Sequence, residues 1–235
     1  MRINPRFLIV PALVAGLQAA VAADVTGTIT LSGTPPPEKV NEAIASNPDC
    51  GKLHSEPVKT QFYVVDGKND LADVVVVVKG APASSGASAA PLVLDQKGCE
   101  YIPYIGAVQT GQKIIVKNSD PLFHNVDVIP AAAGNASSAK NAAQGPNAPD
   151  VSISFPAPEN FLRFKCDVHP WMFAYVTVVD SPYFSVSAKD GTYKISNLPP
   201  GKYTIEASHR KAGTVSKEIE VKDGSNKLDF TMEVK

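Results

Sequence analysis

Read for its apolar and polar positions, the chain breaks into short alternating or β-branched runs: TGTITL, TQFYVV, DVVVVVK, KIIVKN, NVDVI, VSISF, FLRFK, AYVTVV, TYKIS, KYTIEA, SKEIEV and LDFTMEV. Alternation over roughly four to eight residues marks a half-buried strand, and turn residues separate almost every pair of runs. The pattern predicts an all-β chain. Its one helical expectation is a short helix within Pro37 to Asn47, which follows a proline triplet and carries acids early.

Two stretches break the pattern. APASSGASAAP, from Ala81 to Pro91, reads as a linker, and the segment from Ala131 to Asp150 reads as a long loop, because neither holds enough large apolar groups to order itself. After Ser181 to Phe184 the character changes again: an Asp190-Gly191 hairpin turn, a strand, a Pro199-Pro200-Gly201 turn and another strand follow. A β unit of about 55 residues has a marginal core by itself, so the strands before Ala81 are expected to complete it. The resulting division is 1–23 as a leader, 24–90 as the first strands of one sandwich, 91–180 as a second domain, and 181–235 as the remaining strands of the first sandwich.

Arg2 and Arg6 precede the apolar run FLIVPALVAGLQAAVA, and Ala20-Val21-Ala22 supplies small residues for cleavage, so residues 1–23 read as a secretory signal peptide. The leader has neither a cysteine at its cleavage site nor paired arginines, which argues against a lipid anchor and against export in a folded state. Without Arg2 and Arg6 the chain keeps 20 basic against 23 acidic residues, a net charge of −3, which is no nucleic-acid footprint. The longest other apolar run, Val74 to Val78, is strand-sized and cannot span a membrane. The mature protein is expected to be soluble, in the periplasm or secreted.

The three cysteines are Cys50, Cys99 and Cys166. An oxidising compartment pairs cysteines, and an odd count leaves one that needs a reason. Compartment and parity favour a Cys50–Cys99 disulfide over the rival reading, a second metal site built from Cys50, His54 and Cys99.

Cys166 lies in FKCDVHPWM, where a thiolate, the imidazole of His169 and the thioether of Met172 recur at three-residue intervals after a strand. His124, where a turn built on Asn118, Asp120 and Pro121 enters a strand, is the best candidate for a fourth ligand. Two histidines, a thiolate and a weak thioether form the ligand set of an electron-transfer copper site, since thiolate and thioether suit Cu(I) and imidazole suits either oxidation state. Pro170 and Trp171 would place apolar surface beside an exposed His169 edge, where a partner protein could dock.

With these motifs in place, residues 92–180 resemble the cupredoxins, the small blue copper proteins such as plastocyanin and amicyanin. CDVHPWM is similar to amicyanin's short ligand loop, and YIPYIGAVQTGQKIIVKNSDPLFHNV runs in the cupredoxin order. The resemblance implies a Greek-key β-sandwich holding one type 1 copper ion, with His124, Cys166 and His169 as equatorial ligands and Met172 as the axial one. It also implies that Asn125 ties the His124 loop to the Cys166 loop by hydrogen bonds. Two departures stand out: the long segment from Ala131 to Asp150, and Asp167, whose carboxylate beside the thiolate would lower the potential. DVTGTITLSGTPPP and KDGTYKISNLPPGKYTIEA resemble carboxypeptidase regulatory-like domains, smaller transthyretin-like sandwiches of the Ig type without catalytic residues.

The leading expectation is an exported electron carrier whose copper alternates between Cu(II) and Cu(I) among protein redox partners. A copper delivery or storage protein and a cell-envelope binding module with a structural metal are the alternatives. No nucleophile motif and no paired catalytic carboxylates argue for an enzyme.

Overall fold

The computed structural model describes residues 22–81, 86 and 88–235. The proposed signal peptide therefore lies outside the described residues except for its last two positions, as does most of the first half of the expected linker. Among the described residues no helix is long and apolar enough to cross a membrane.

The fold is all-β, and among the described residues the strands lie in four sheets. One five-stranded sheet orders the strands 105–109, 173–179, 159–165, 124–128 and 140–144, and a four-stranded sheet orders 100–102, 92–97, 114–118 and 151–153. Their inner faces share one core, in which Leu94, Val116, Val126, Phe155, Phe164 and Val176 are almost wholly buried. Cys166 and Met172 belong to that core, so the loop that carries them is anchored from below.

The other two sheets join the two ends of the chain. Strand Ala23–Ser32 pairs antiparallel with Thr192–Leu198 and parallel with Ser225–Lys227 and Phe230–Glu233. Strand Val75–Lys79 pairs with Phe184–Val186 and with Gly201–His209, which also pairs with Gly213–Val221. A C-terminal β unit too small for a core of its own thus packs with the N-terminal strands around Val25, Ile29, Leu71, Ile195, Ile205 and Phe230.

The run from Val74 to Val78 is apolar at every position because both of its faces are buried. Val74, Val76 and Val78 enter the core shared with the chain ends, while Val75 and Val77 pack against Ile105 and Val179 of the five-stranded sheet. This contact joins the two pairs of sheets. Arg210 reinforces it, lying 4.3 Å from the Tyr175 ring centroid and donating to the Tyr104 hydroxyl at 3.1 Å.

Three expectations are corrected. The long loop from Ala131 to Asp150 is ordered: it holds the 3-10 turn Ala133–Ser138 and the edge strand Lys140–Gln144, paired with His124–Val128. Asn135 anchors the turn, since its buried amide donates to Ala157 and Glu159 and accepts from the Ala157 N–H. TQFYVV, from Thr60 to Val65, forms no strand, because the Tyr63 N–H goes to Glu38 at 2.6 Å and only isolated bridges form around it. The expected helix shortens to Glu42–Ser46, capped by the Asn41 side chain.

That helix lies in a closed loop. Its neck is the bridge between Val40 and Lys59, with Asn41 N–H donating to Val58 at 2.8 Å and Thr60 N–H to Lys39 at 2.8 Å. The Cys50–Cys99 disulfide fastens its middle to the turn after Leu92–Lys97, and His54 Nε2 donates to the Gly98 carbonyl at 2.6 Å. Closing a chain loop of this size stabilises the fold by about 4 kcal/mol in the chain-entropy account.

Candidate metal centre

Two turns bring the donors together. The first runs from Asn118 to His124: Asn118 Oδ1 accepts the Asp120 N–H, and its amide donates to the carbonyls of Leu122, Gln144 and Gly145. A side chain replaces the missing backbone partners of a turn in this way. The second is the loop from Cys166 to Met172, closed on itself by Cys166 N–H to the Met172 carbonyl at 3.0 Å and Met172 N–H to the His169 carbonyl at 2.8 Å.

Each of the atoms offered by His124, Cys166 and His169 lies within 4.8 Å of the others, and all three residues are buried. The two imidazoles meet Nδ1 to Nδ1 at 3.0 Å, and the Cys166 sulfur is 3.9 Å from His169 Nδ1. Met172 is 1% exposed and packs in the same apolar cluster as Cys166.

Asp120 holds the far side of His124, with Oδ2 at 2.9 Å from Nε2. Its carboxylate also accepts the N–H groups of Gly98 at 2.6 Å and Cys99 at 2.8 Å. A carboxylate on Nε2 fixes a proton there and leaves Nδ1 as the nitrogen available to a metal. The sequence marks Asp120 only as a turn former; its position four residues before a candidate ligand is the signal for this second role.

Among the protein's own groups, burial opposes a charge on His124, but the Asp120 hydrogen bond and the Cys166 sulfur outweigh it and raise the imidazole to about 9. Burial likewise pushes the Cys166 thiol up, and hydrogen bonds from His124 and from Asn125, His169 and Val168 more than offset it, leaving it below the ordinary thiol range. His169 is held below the usual histidine value by burial and by the charge on His124. A metal would displace the extra proton of His124 and the thiol proton of Cys166 on binding, whereas His169 is already neutral.

Asn125 joins the two turns. Its Oδ1 accepts the Asp167 N–H at 2.7 Å and faces the Cys166 sulfur at 3.3 Å, while its Nδ2 donates to Asp167 Oδ2 at 2.9 Å. The Asp167 carboxylate is occupied on its other sides by Lys165 at 2.6 Å and Asn141 at 3.0 Å, and these partners hold it down at about 2, led by Lys165. Tyr101, unnoticed in the sequence, underpins both segments, its hydroxyl lying 2.7 Å from the Asn125 carbonyl and 3.2 Å from that of Lys165.

The exposed His169 edge expected from the sequence is absent: the residue is only 8% exposed. Trp171 packs on it with ring centroids 5.2 Å apart, and the closed loop around Cys50 covers Trp171 in turn through Ile44, Leu53 and Val58. Pro170 stands exposed beside the site, next to the half-exposed Val168.

Two imidazoles and a depressed thiol in one buried cluster, with the Met172 thioether in the apolar core beside the thiol, suit copper better than a hard cation, which would call for carboxylate and carbonyl oxygens. The Cys50 and Cys99 sulfurs, although close to the histidines, are joined to each other and are not thiolate donors.

Comparison with known proteins adds the following. No curated protein matches the chain. Among solved structures, an oxidised amicyanin mutant is 21% identical, and a reduced mutant and a Cu(I) mutant of amicyanin are each 20% identical. Each aligns with 44% of this chain and 97% of its own, at a TM-score of 0.33. The chain is thus similar to amicyanin over one part, and over residues 169–233 it matches the family model of the carboxypeptidase regulatory-like domain.

Proposed function

We propose that His124, Cys166, His169 and Met172 hold one copper ion and that the protein carries single electrons between protein redox partners outside the cytoplasm. The observation that carries this reading is the convergence of a thiol and two imidazole nitrogens within 4.8 Å of one another in a buried site. When bound, copper supplies a one-electron couple between Cu(II) and Cu(I). The chain supplies the rest: Asp120 orients His124, Asn125 locks the Cys166 loop to the His124 turn, and the apolar core below excludes water. Such a cage keeps the same arrangement in both oxidation states, which suits rapid electron exchange.

In this reading residues 1–23 direct export, residues 91–180 form the copper sandwich, and residues 24–90 with 181–235 form the second, regulatory-like sandwich. Pro170 is the surface through which a partner would approach. No substrate turnover is assigned. Copper delivery is the weaker reading, because a covered His169 favours keeping the ion over handing it on.

The test is an optical and electrochemical titration of the exported protein with copper. The expected result is an intense blue thiolate-to-copper band with a reversible potential at one copper per chain, lost in Cys166→Ser while the fold is kept. A Cys166→Ser protein that stays equally blue overturns the ligand assignment, and tight Cu(I) binding without the band supports delivery instead.

A further inference from the structure

The closed loop from Asn41 to Val58 packs against the end of the sandwich where the candidate ligands converge. Its buried members are Ile44, 2% exposed, and Cys50, 0% exposed. They form one cluster with Cys99, Leu53, Val58, Leu122 and Trp171. Trp171 belongs to this cluster and also packs against the core that contains Cys166 and Met172. The disulfide sulfurs lie within 4.8 Å of a His169 ring nitrogen, so the loop is fastened directly over that ligand. Trp171 is partly buried there, and its indole N–H is enclosed without a hydrogen-bond partner among the described residues.

The loop's own bonds are local: Asn47 Oδ1 accepts the N–H groups of Asp49 and Cys50, and the turn Gly51–Leu53 returns Leu53 N–H to the Cys50 carbonyl. Its neck is a single bridge between Val40 and Lys59, and its helix spans only Glu42–Ser46. Beyond the neck, its links to the sandwich are the apolar cluster, the disulfide and the His54–Gly98 hydrogen bond. A segment whose bonds are mostly internal, and whose hold on the sandwich rests on so few links, opens as a unit unless something fixes it.

We propose that Asn41–Val58 is a cap, held shut by Cys50–Cys99, that controls access to His169 and so determines what can reach the metal. The capped protein denies direct contact with the His169 ring to chelators, small ligands and protein surfaces. The inference deepens the copper reading and rests on it for one of its two measurements.

The test uses the full mature chain and a Cys50→Ser/Cys99→Ser variant, with Ile44→Ala as a second variant that leaves the disulfide in place. Trp171 is the only tryptophan in the sequence, so acrylamide quenching of its fluorescence in copper-free protein reports on the cap alone. The second measurement is the rate at which a soluble Cu(I) chelator strips the reduced, copper-loaded protein. Far-ultraviolet circular dichroism establishes that each variant keeps its sheets.

Expected are weak quenching and slow stripping in the parent, with both rising several-fold in Ile44→Ala and stripping rising about tenfold or more when the staple is removed. Folded variants that match the parent in quenching and in stripping overturn the proposal. A protein that binds no copper while the variants still expose Trp171 sinks the copper reading and leaves the cap standing.

Discussion

Asp120 accepts a hydrogen bond from His124 at 2.9 Å while its carboxylate also accepts the Cys99 N–H at 2.8 Å. One side chain therefore ties a candidate metal ligand to the anchor of the disulfide. The carboxylate is itself fixed by the backbone around Gly98, so the imidazole it holds inherits a rigid reference point. Removing an outer partner of a ligating histidine costs about 10- to 100-fold in metal affinity. Asp120→Ala should lower copper affinity by that amount, measured by competition with a chelator of known strength. Asp120→Asn should fall between the parent and Asp120→Ala, because it keeps an acceptor and loses the charge. Unchanged affinity in both would remove Asp120 from the site.

Asn125 is expected to act through the loop that carries the thiol. Its Oδ1 satisfies the Asp167 N–H and its Nδ2 satisfies the Asp167 carboxylate, so Asn125→Ala leaves a part-buried N–H without its acceptor. Such a loss costs about 1–3 kcal/mol. Urea unfolding of the metal-free variant should show it as a lower midpoint, and the blue band of the copper form should shift because the sulfur has lost a neighbour at 3.3 Å. A variant with the parent's midpoint and spectrum would contradict this account.

Much of this arrangement could be read from residues alone, and the failures share a cause. Runs such as KIIVKN and AYVTVV alternate, and they form the strands Ile114–Asn118 and Phe173–Val179. Cys166, His169 and Met172 were visible because loop spacing is a local property. Lys140–Gln144 was missed because KNAAQ has no β-branched residue; its place comes from pairing along the edge of His124–Val128 and from the buried Gln144 side chain, which bonds Gln96 at 2.6 Å. TQFYVV misled in the other direction, since its alternation is overridden by Glu38, which takes the Tyr63 N–H. The cover over His169 was invisible for the same reason: Ile44, Leu53 and Val58 have no periodicity, and what seats them is the long-range link from Cys50 to Cys99.

The contact between the two pairs of sheets should depend on Arg210. Its guanidinium stacks 4.3 Å from the Tyr175 ring centroid and donates to Tyr104. A partly desolvated cation–π contact and one hydrogen bond together stabilise by about 1–3 kcal/mol. Arg210→Ala should lose that much in denaturant unfolding, and Arg210→Lys should recover only part of it because a compact ammonium cannot stack and donate from a planar fork. Full recovery by lysine would show that charge alone matters there.

His209 sets a pH limit on the fold. The ring is 4% exposed and packs 5.4 Å from the Tyr63 ring centroid, and its Nδ1 accepts the N–H groups of Ala212 at 3.0 Å and Lys211 at 3.3 Å. Burial, aided by the charge on Arg210 and opposed by Glu38, holds it down from 6.5 to about 4. The unfolded chain takes up a proton as pH falls below 6.5 while the folded protein refuses it until about 4. Its contribution is therefore whole above the unfolded value and drains away across that window, by about 3 kcal/mol in total. Asp73 works in the opposite sense, because burial raises its carboxyl to about 6 and the folded protein gains a proton before the unfolded chain does. The difference between the parent and His209→Gln separates the two, since Asp73 is common to both. Urea midpoints measured from pH 7 to pH 4 should fall more steeply in the parent than in His209→Gln, and parallel curves would show that the imidazole is not held neutral by the fold.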